Sequence, residues 1–285
     1  MKGQRKTGAL LGYANIIAKN LVNIIYVPLL LHFIGQADYG VFQMTNSVVF
    51  ALTLLSAGFY GSYVRFYMRE KTRGNDLGIR RLNGMFLLVY VVVALLCLIG
   101  GTALTINVRS FFSGGLTASE LVLARELMGI MTVNVAIQLL STPFDSYIVS
   151  HEKFVFQQSR QLLTSIAQPF LAVLLLWLGT GAVGVACAQM FITSVLLLMN
   201  IWYATRTLGM RFTFKGLEWS MFKAIAVFSF WIFLNQIFDL VNNNVPNFLL
   251  GAMASATAVA VFAIALQIRN LFYSDSRTPP ITSGT

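Results

Sequence analysis

The sequence predicts an all-α, polytopic membrane helix bundle with about eight transmembrane helices. Long apolar runs follow one another from residue 8 to residue 273, and short polar loops separate them. Hydrophobic residues make up 57% of the chain and charged residues only 11%, and the mean hydropathy is +0.73. A soluble chain of 285 residues cannot bury that much apolar surface, so lipid is the expected solvent.

The apolar runs have the length of membrane-spanning helices, which need roughly 20 residues to cross the hydrocarbon core. Outer-membrane strands alternate apolar and polar residues. Residues 87–99 are instead apolar throughout, so helices are predicted. The predicted spans, numbered one to eight along the chain, are residues 9–34, 41–64, 83–106, 123–148, 161–178, 182–203, 224–250 and 252–273.

The loop charges predict the orientation of these spans. Of the 20 Lys and Arg residues, 17 fall on the side of the N-terminus, Lys19 lies within span one, and two, Arg109 and Arg125, lie on the other side. Basic loops stay in the cytoplasm. We therefore expect a multi-pass protein of the bacterial inner (cytoplasmic) membrane, with a cytoplasmic N-terminus and C-terminus. The connection at residues 35–40 is expected outside.

Composition also limits the function classes. The net charge of +10 is explained by topology, so no nucleic-acid partner is expected. Cys97 and Cys187 lie in apolar runs and predict neither a disulfide framework nor a metal site. The chain has no HExxH, Walker A or GxSxG motif, so no catalytic residues, no cofactor and no enzyme activity are predicted.

Span one carries a polar stripe of Asn15, Lys19, Asn23 and Tyr26. The steps of 4, 4 and 3 residues place them on one helical face. A lysine in mid-span costs roughly 2.5–3.5 kcal/mol on insertion scales. The stripe favours a hydrated cavity shared with spans two and four, and the alternative is that Lys19 reaches back to the cytoplasmic surface.

Spans two and four offer further polar candidates. Arg65 ends span two and is either a membrane anchor or a functional cation. Asn134, Gln138 and Asp145 lie on one face of span four, and Pro143 can free a backbone carbonyl there. Asp145 is near the inner end of the span, so a plain interfacial carboxylate remains an alternative.

Span seven is the most polar, with Asn235, Asp239 and Asn243 among its residues. Asp239 lies near its middle, where a carboxylate needs a partner. Two interpretations stay open: a hydrogen-bonded cluster between helices, or the wall of a translocation cavity in which Asp239 binds a coupling H⁺ or Na⁺.

Several stretches resemble the polysaccharide flippases of the multidrug/oligosaccharidyl-lipid/polysaccharide exporter superfamily. Residues 27–35 read VPLLLHFIG and are followed by DYGVF at 38–42. Residues 142–154 read TPFDSYIVSHEKF, and residues 229–251 lead into a final apolar run. These motifs follow one another in order along nearly the whole chain.

The resemblance implies a domain organisation. Family members have two lobes of helices, and this chain looks like the N-terminal part, with one lobe and the start of the next. Residues 1–205 are then a six-helix N-lobe, 206–223 a cytoplasmic linker, 224–273 the first two helices of a truncated C-lobe, and 274–285 a disordered tail.

The resemblance also implies a function. It predicts a flippase that moves a lipid-linked oligosaccharide of the undecaprenyl-diphosphate type across the inner membrane by alternating access. Membrane lipids are expected partners, and glycosyltransferases or a polymerase of the same pathway are candidates. The alternatives are a cation-coupled multidrug antiporter of the same superfamily, using Asp145 or Asp239, and a membrane scaffold without transport.

Overall fold

The computed structural model describes residues 2–52, 59–112, 115–216 and 255–273, with short helical pieces within 222–253. Only the backbone is described for residues 2–10, 13, 23, 50, 59–60 and 267–273. Most of span seven, with Asn235, Asp239 and Asn243, lies outside the described residues, as does the tail 274–285.

The all-α prediction is confirmed, because the described residues form helices and no strand. A π-helical turn, Tyr203–Thr207, extends the seventh helix. The helices are α1 Lys2–Ala51, α2 Phe59–Thr72, α3 Asp76–Ile106, α4 Val108–Phe112, α5 Ala118–Ser150, α6 Phe154–Trp177, α7 Gly181–Trp202 and α8 Ala256–Tyr273.

Five stretches of the described chain are long and apolar enough to cross a membrane. The protein is therefore a multi-pass membrane protein. The stretches are Ala14–Val49, Asp76–Ile106, Ala118–Ser150, Phe154–Trp177 and Gly181–Thr207.

The predicted loop at residues 35–40 is corrected by the structure. Helical residues continue on both sides of Gly35, and α1 joins span one to the first part of span two. Gly35 alone leaves the helical conformation, with φ 79° and ψ 169°. Only glycine adopts such angles at little cost, so one residue suffices to redirect the chain.

Several helices begin earlier than predicted. α3 begins at Asp76, where the Asn75 side chain accepts a hydrogen bond from the Gly78 N–H, and α6 begins at Phe154 instead of residue 161. At 1.5 Å per residue, the 31 residues of α3 extend about 46 Å, more than the hydrocarbon core of roughly 30 Å. The additional helical turns are longer than the hydrocarbon core requires. They contain polar residues, so a prediction from hydropathy alone assigns them to loops.

α5 is the central helix of the bundle, packed against α1, α2, α3 and α7. Its contact with α3 is close at Gly101, because a Cβ added there would overlap the Thr132 side chain. Small residues allow this approach between membrane helices. α1 packs along α6, and α6 packs on α7, so α1, α6 and α7 form a second layer beside α5.

Segments that the charge pattern assigns to the same side of the membrane lie at the same end of the bundle. At one end, the Tyr67 hydroxyl lies 3.0 Å from Nε2 of His151. At the same end, Asn83 Nδ2 donates to the Arg211 carbonyl at 2.9 Å. At the other end, a Cβ added at Gly40 would overlap the Ala256 carbonyl oxygen. Segments predicted to share one side of the membrane therefore lie together.

Candidate functional site

A polar cavity of about 530 Å³ lies between α1, α6 and α7. Its walls carry two cationic side chains, three glutamines, two hydroxyl residues and a tyrosine, beside three apolar residues. The lining residues are Lys19, Val22, Tyr26, Gln157, Arg160, Gln161, Thr164, Ser165, Gln168, Pro169 and Leu196.

α6 supplies most of the wall because its polar residues share one face. Gln157, Gln161 and Gln168 are spaced by 4 and 7 residues, which keeps them on one side of a helix. Pro169 lies on the same face inside the helix. Because proline lacks an N–H, the carbonyl of Ser165 loses its regular helical donor at this wall.

α1 forms the wall opposite α6, and the residues of this wall belong to the predicted polar stripe. Asn15 is buried, and its Oδ1 accepts a hydrogen bond from the Ser165 hydroxyl at 3.1 Å, which pairs α1 with α6. Lys19 and Tyr26 line the cavity one and three turns further on. The Tyr26 hydroxyl is buried and has no hydrogen-bond partner among the described residues. An unsatisfied buried hydroxyl costs about 1–3 kcal/mol, which a ligand hydrogen bond would recover.

Arg160 joins the cavity to a polar cluster between α5, α6 and α7. Its Nη2 lies 2.7 Å from Oδ1 of Asp145, and its Nη1 donates to Oδ1 of Asn200. Asn200 in turn donates from Nδ2 to the Ser141 hydroxyl at 2.8 Å. The side chains of Arg160 and Asp145 are only 14% and 21% exposed. The cluster therefore holds the guanidinium in a fixed position at the cavity.

The electrostatics of the cavity favour an anion. Asp145 is already paired with Arg160. Lys19 is exposed to the cavity and pairs with no side chain of the described residues. Phosphate groups bind strongly to such cations. The glutamine side chains offer both donors and acceptors for hydroxyl groups.

The structure brings together only some of the residues predicted from sequence. Asn15, Lys19, Tyr26 and Asp145 lie in or beside the cavity. Asn134 is buried in α5, and its Oδ1 has no partner among the described residues. Arg65 and Gln138 are exposed on α2 and α5, away from this cavity. The side chain of Asn23 lies outside the described residues, as do Asn235, Asp239 and Asn243.

The residues that line the cavity belong to other helices than the sequence indicated. Spans two and four were predicted to share the cavity of Lys19, whereas its described lining belongs to α1, α6 and α7. The reason is packing, because α5, which contains span four, lies at the centre of the bundle and uses Ser141 and Asp145 to bind its neighbours.

Sequence reasoning missed Arg160, Asn200 and the glutamine face of α6. Arg160 was counted as a loop cation because span five was started at residue 161. The signal was present in the sequence, since Gln157, Gln161 and Gln168 repeat with helical spacing. Asn200 is a lone polar residue in an apolar span, and no periodic pattern marks it.

A protein-family comparison identifies the chain. The family model described as "Polysaccharide biosynthesis protein" matches residues 6–274. The chain belongs to this family. The family contains the polysaccharide and oligosaccharide flippases of the multidrug/oligosaccharidyl-lipid/polysaccharide exporter superfamily, so the resemblance noted in the sequence is confirmed. Its members are transporters and not enzymes. No curated protein and no solved structure matches the chain.

Proposed function

We propose that the chain is a flippase component that binds the headgroup of a lipid-linked oligosaccharide in the cavity between α1, α6 and α7. The substrate class is an undecaprenyl-diphosphate-type glycolipid, moved across the bacterial inner membrane by alternating access. The observation that carries this proposal is the pair of cations, Lys19 and Arg160, on a wall otherwise rich in amide and hydroxyl groups.

The chemistry of the cavity fits both parts of such a headgroup. The diphosphate is anionic and needs cationic, hydrogen-bonding partners. Sugar hydroxyls need donors and acceptors, which Gln157, Gln161 and Tyr26 supply. The volume of about 530 Å³ lies within the roughly 300–1,000 Å³ of ordinary ligand pockets. The lipid tail can stay in the bilayer.

The position of the cavity supports loading from the inner leaflet. Its lining on α6 runs from Gln157 to Pro169, about 18 Å along a helix that begins at Phe154. The charge pattern predicts that this end of α6 faces the cytoplasm. Lipid-linked sugars assembled on the cytoplasmic leaflet would meet the cavity there.

The alternatives receive less support. A cation-coupled antiporter needs an available carboxylate, and Asp145 is held by Arg160. A coupling H⁺ or Na⁺ would therefore need another carboxylate. A scaffold without transport would not need a cavity with a lysine and a buried tyrosine hydroxyl that pair with no side chain of the described residues.

The test is binding of an undecaprenyl-diphosphate disaccharide to the purified chain in detergent, measured by microscale thermophoresis. Lys19→Gln removes one charged partner of a phosphate, so we expect roughly ten-fold weaker binding or more. Lys19→Arg should retain most of the affinity. Arg206→Gln is the matched control, because Arg206 is an exposed cation outside the cavity.

Transport is tested with the same variants in a strain lacking its own flippase. Surface polysaccharide is measured against the amount of protein in the membrane. The proposal predicts that Lys19→Gln lowers export far more than protein amount. Wild-type binding and export by Lys19→Gln would contradict it.

A further inference from the structure

A second cavity, of about 810 Å³, opens at the opposite end of the bundle from the Lys- and Arg-rich loops. We call it the outer cavity. It lies between the end of α3, the start of α4 and the first turns of α5, with Val183 of α7 on its wall. Its lining residues are Thr105, Ile106, Val108, Arg109, Leu121, Val122, Arg125, Glu126, Gly129, Ile130 and Val183.

The outer cavity contains Arg109 and Arg125, the two basic residues that the charge pattern places outside. Neither arginine has an ion pair or hydrogen bond with the described residues. Glu126 also lines the cavity, so the formal charge is +2 from the arginines and −1 from Glu126, or +1. The Thr105 hydroxyl is already used, since it donates to the Gly101 carbonyl at 2.8 Å.

The remaining wall is apolar and continues towards the lipid. Ile106 and Val122 are 66% and 53% exposed, and Leu121, Ile130 and Val183 lie beside them. From Leu121 to Ile130 the wall runs about 14 Å along α5, close to the thickness of one leaflet of a core roughly 30 Å thick. Gly129 faces open space on this wall, because a Cβ added there would meet nothing within 4 Å.

We propose that the outer cavity binds an anionic phospholipid of the outer leaflet. The phosphodiester pairs with Arg109 and Arg125 at the rim, and one acyl chain lies on the apolar wall of α5 and α7. A phosphodiester headgroup of charge −1 matches the +1 of the rim. A free anion would use the rim alone and leave the apolar depth empty, so the shape favours a lipid. This proposal does not depend on the oligosaccharide substrate.

Native mass spectrometry of the detergent-purified full chain tests it, with phosphatidylglycerol as the probe and phosphatidylcholine as the uncharged comparison. One tight phosphatidylglycerol adduct is expected. Each basic residue near an anionic lipid contributes about five-fold in affinity, so Arg109→Gln with Arg125→Gln should weaken that adduct roughly 25-fold. Arg206→Gln at the other end is the matched control and should leave it unchanged.

A second variant separates a lipid from a free anion. Gly129→Leu fills the apolar wall while it keeps both arginines, so it should also remove the tight adduct. Unchanged binding in the double arginine variant would overturn the proposal. Displacement of phosphatidylglycerol by an equal concentration of inorganic phosphate, with no effect of Gly129→Leu, would show a free-anion site and overturn it as well. Circular dichroism confirms that each variant is folded.

Discussion

Arg160 is positioned before any substrate arrives. Asp145 and Asn200 fix its guanidinium from two other helices, so little side-chain entropy remains to be lost when a ligand binds. Lys19 on the facing helix has no such support among the described residues. The cavity therefore combines a cation held by two neighbours with one that no described side chain holds.

Sequence reasoning found Lys19 and missed Arg160 for a physical reason. A charge in the middle of an apolar run is costly, and its position stands out from hydropathy alone. Arg160 lies near the end of its helix, where a cation normally meets water, and only the contacts with Asp145 and Asn200 show that it is enclosed.

His151 predicts a pH dependence of stability at the end of the bundle that carries most of the basic loops. Its Nδ1 lies 2.8 Å from the Tyr147 carbonyl, so this nitrogen carries the proton, and Nε2 accepts from the Tyr67 hydroxyl. Burial lowers the pKa of His151 below its ordinary 6.5; the hydrogen bond to Tyr147 opposes this, while Lys71 and Lys153 add to it. The unfolded chain thus binds the proton more readily, and stability falls as the pH drops below 6.5.

The measurement is the thermal unfolding midpoint in detergent at about pH 8 and about pH 5. His151→Gln should reduce the difference between the two midpoints. The exposed His32 is the control, and His32→Gln should leave that difference as it is. An unchanged difference in His151→Gln would show that another group causes the acid sensitivity.

α5 illustrates what helical periodicity cannot decide. The spacing of Asn134, Gln138 and Asp145 predicts that they share one face, and this face was interpreted as a cavity wall. The structure uses parts of this face for packing and for the ion pair with Arg160. A polar stripe marks a face that needs partners, but whether side chains or water supply them depends on the neighbouring helices.

The close contact of α3 with α5 predicts that one methyl group added at Gly101 lowers the stability of the protein. Gly101→Ala would push a Cβ into the buried Thr132 side chain. Thr132 is β-branched and stiff, so the helices must separate, at a cost of about 1–3 kcal/mol. Chemical unfolding in detergent should show the loss.

Gly129→Ala is the matched control within α5. This substitution raises helix propensity by the same amount as Gly101→Ala, and its Cβ meets nothing within 4 Å. It should be neutral or slightly stabilising. Equal stability of the two variants would mean that α3 and α5 are not in close contact at Gly101.

The fold class of the whole molecule and the grouping of its loops were predictable, because lipid restricts both composition and charge. The all-α class follows from the apolar runs, and the two groups of loops follow from the basic residues. The helix pairs were not predictable. Nothing in the spacing of Lys19 indicates that α6 would face it, since that depends on side-chain fit along the length of α1.

The charge pattern makes a final prediction about the sidedness of the molecule. In a background with Cys97 and Cys187 replaced, single cysteines are placed at four exposed positions, Gln36, Ser119, Leu77 and Thr207. A membrane-impermeant maleimide on intact spheroplasts should label the variants at Gln36 and Ser119, which lie at the end of the outer cavity. It should label those at Leu77 and Thr207 only after lysis, because the positive-inside rule predicts that the end with the basic loops faces the cytoplasm. None of these substitutions replaces one of the 20 basic residues, so the charges that orient the chain are unchanged. Labelling of Leu77→Cys in intact spheroplasts would reverse the orientation, and the cavity of Lys19 would then load from the outer leaflet.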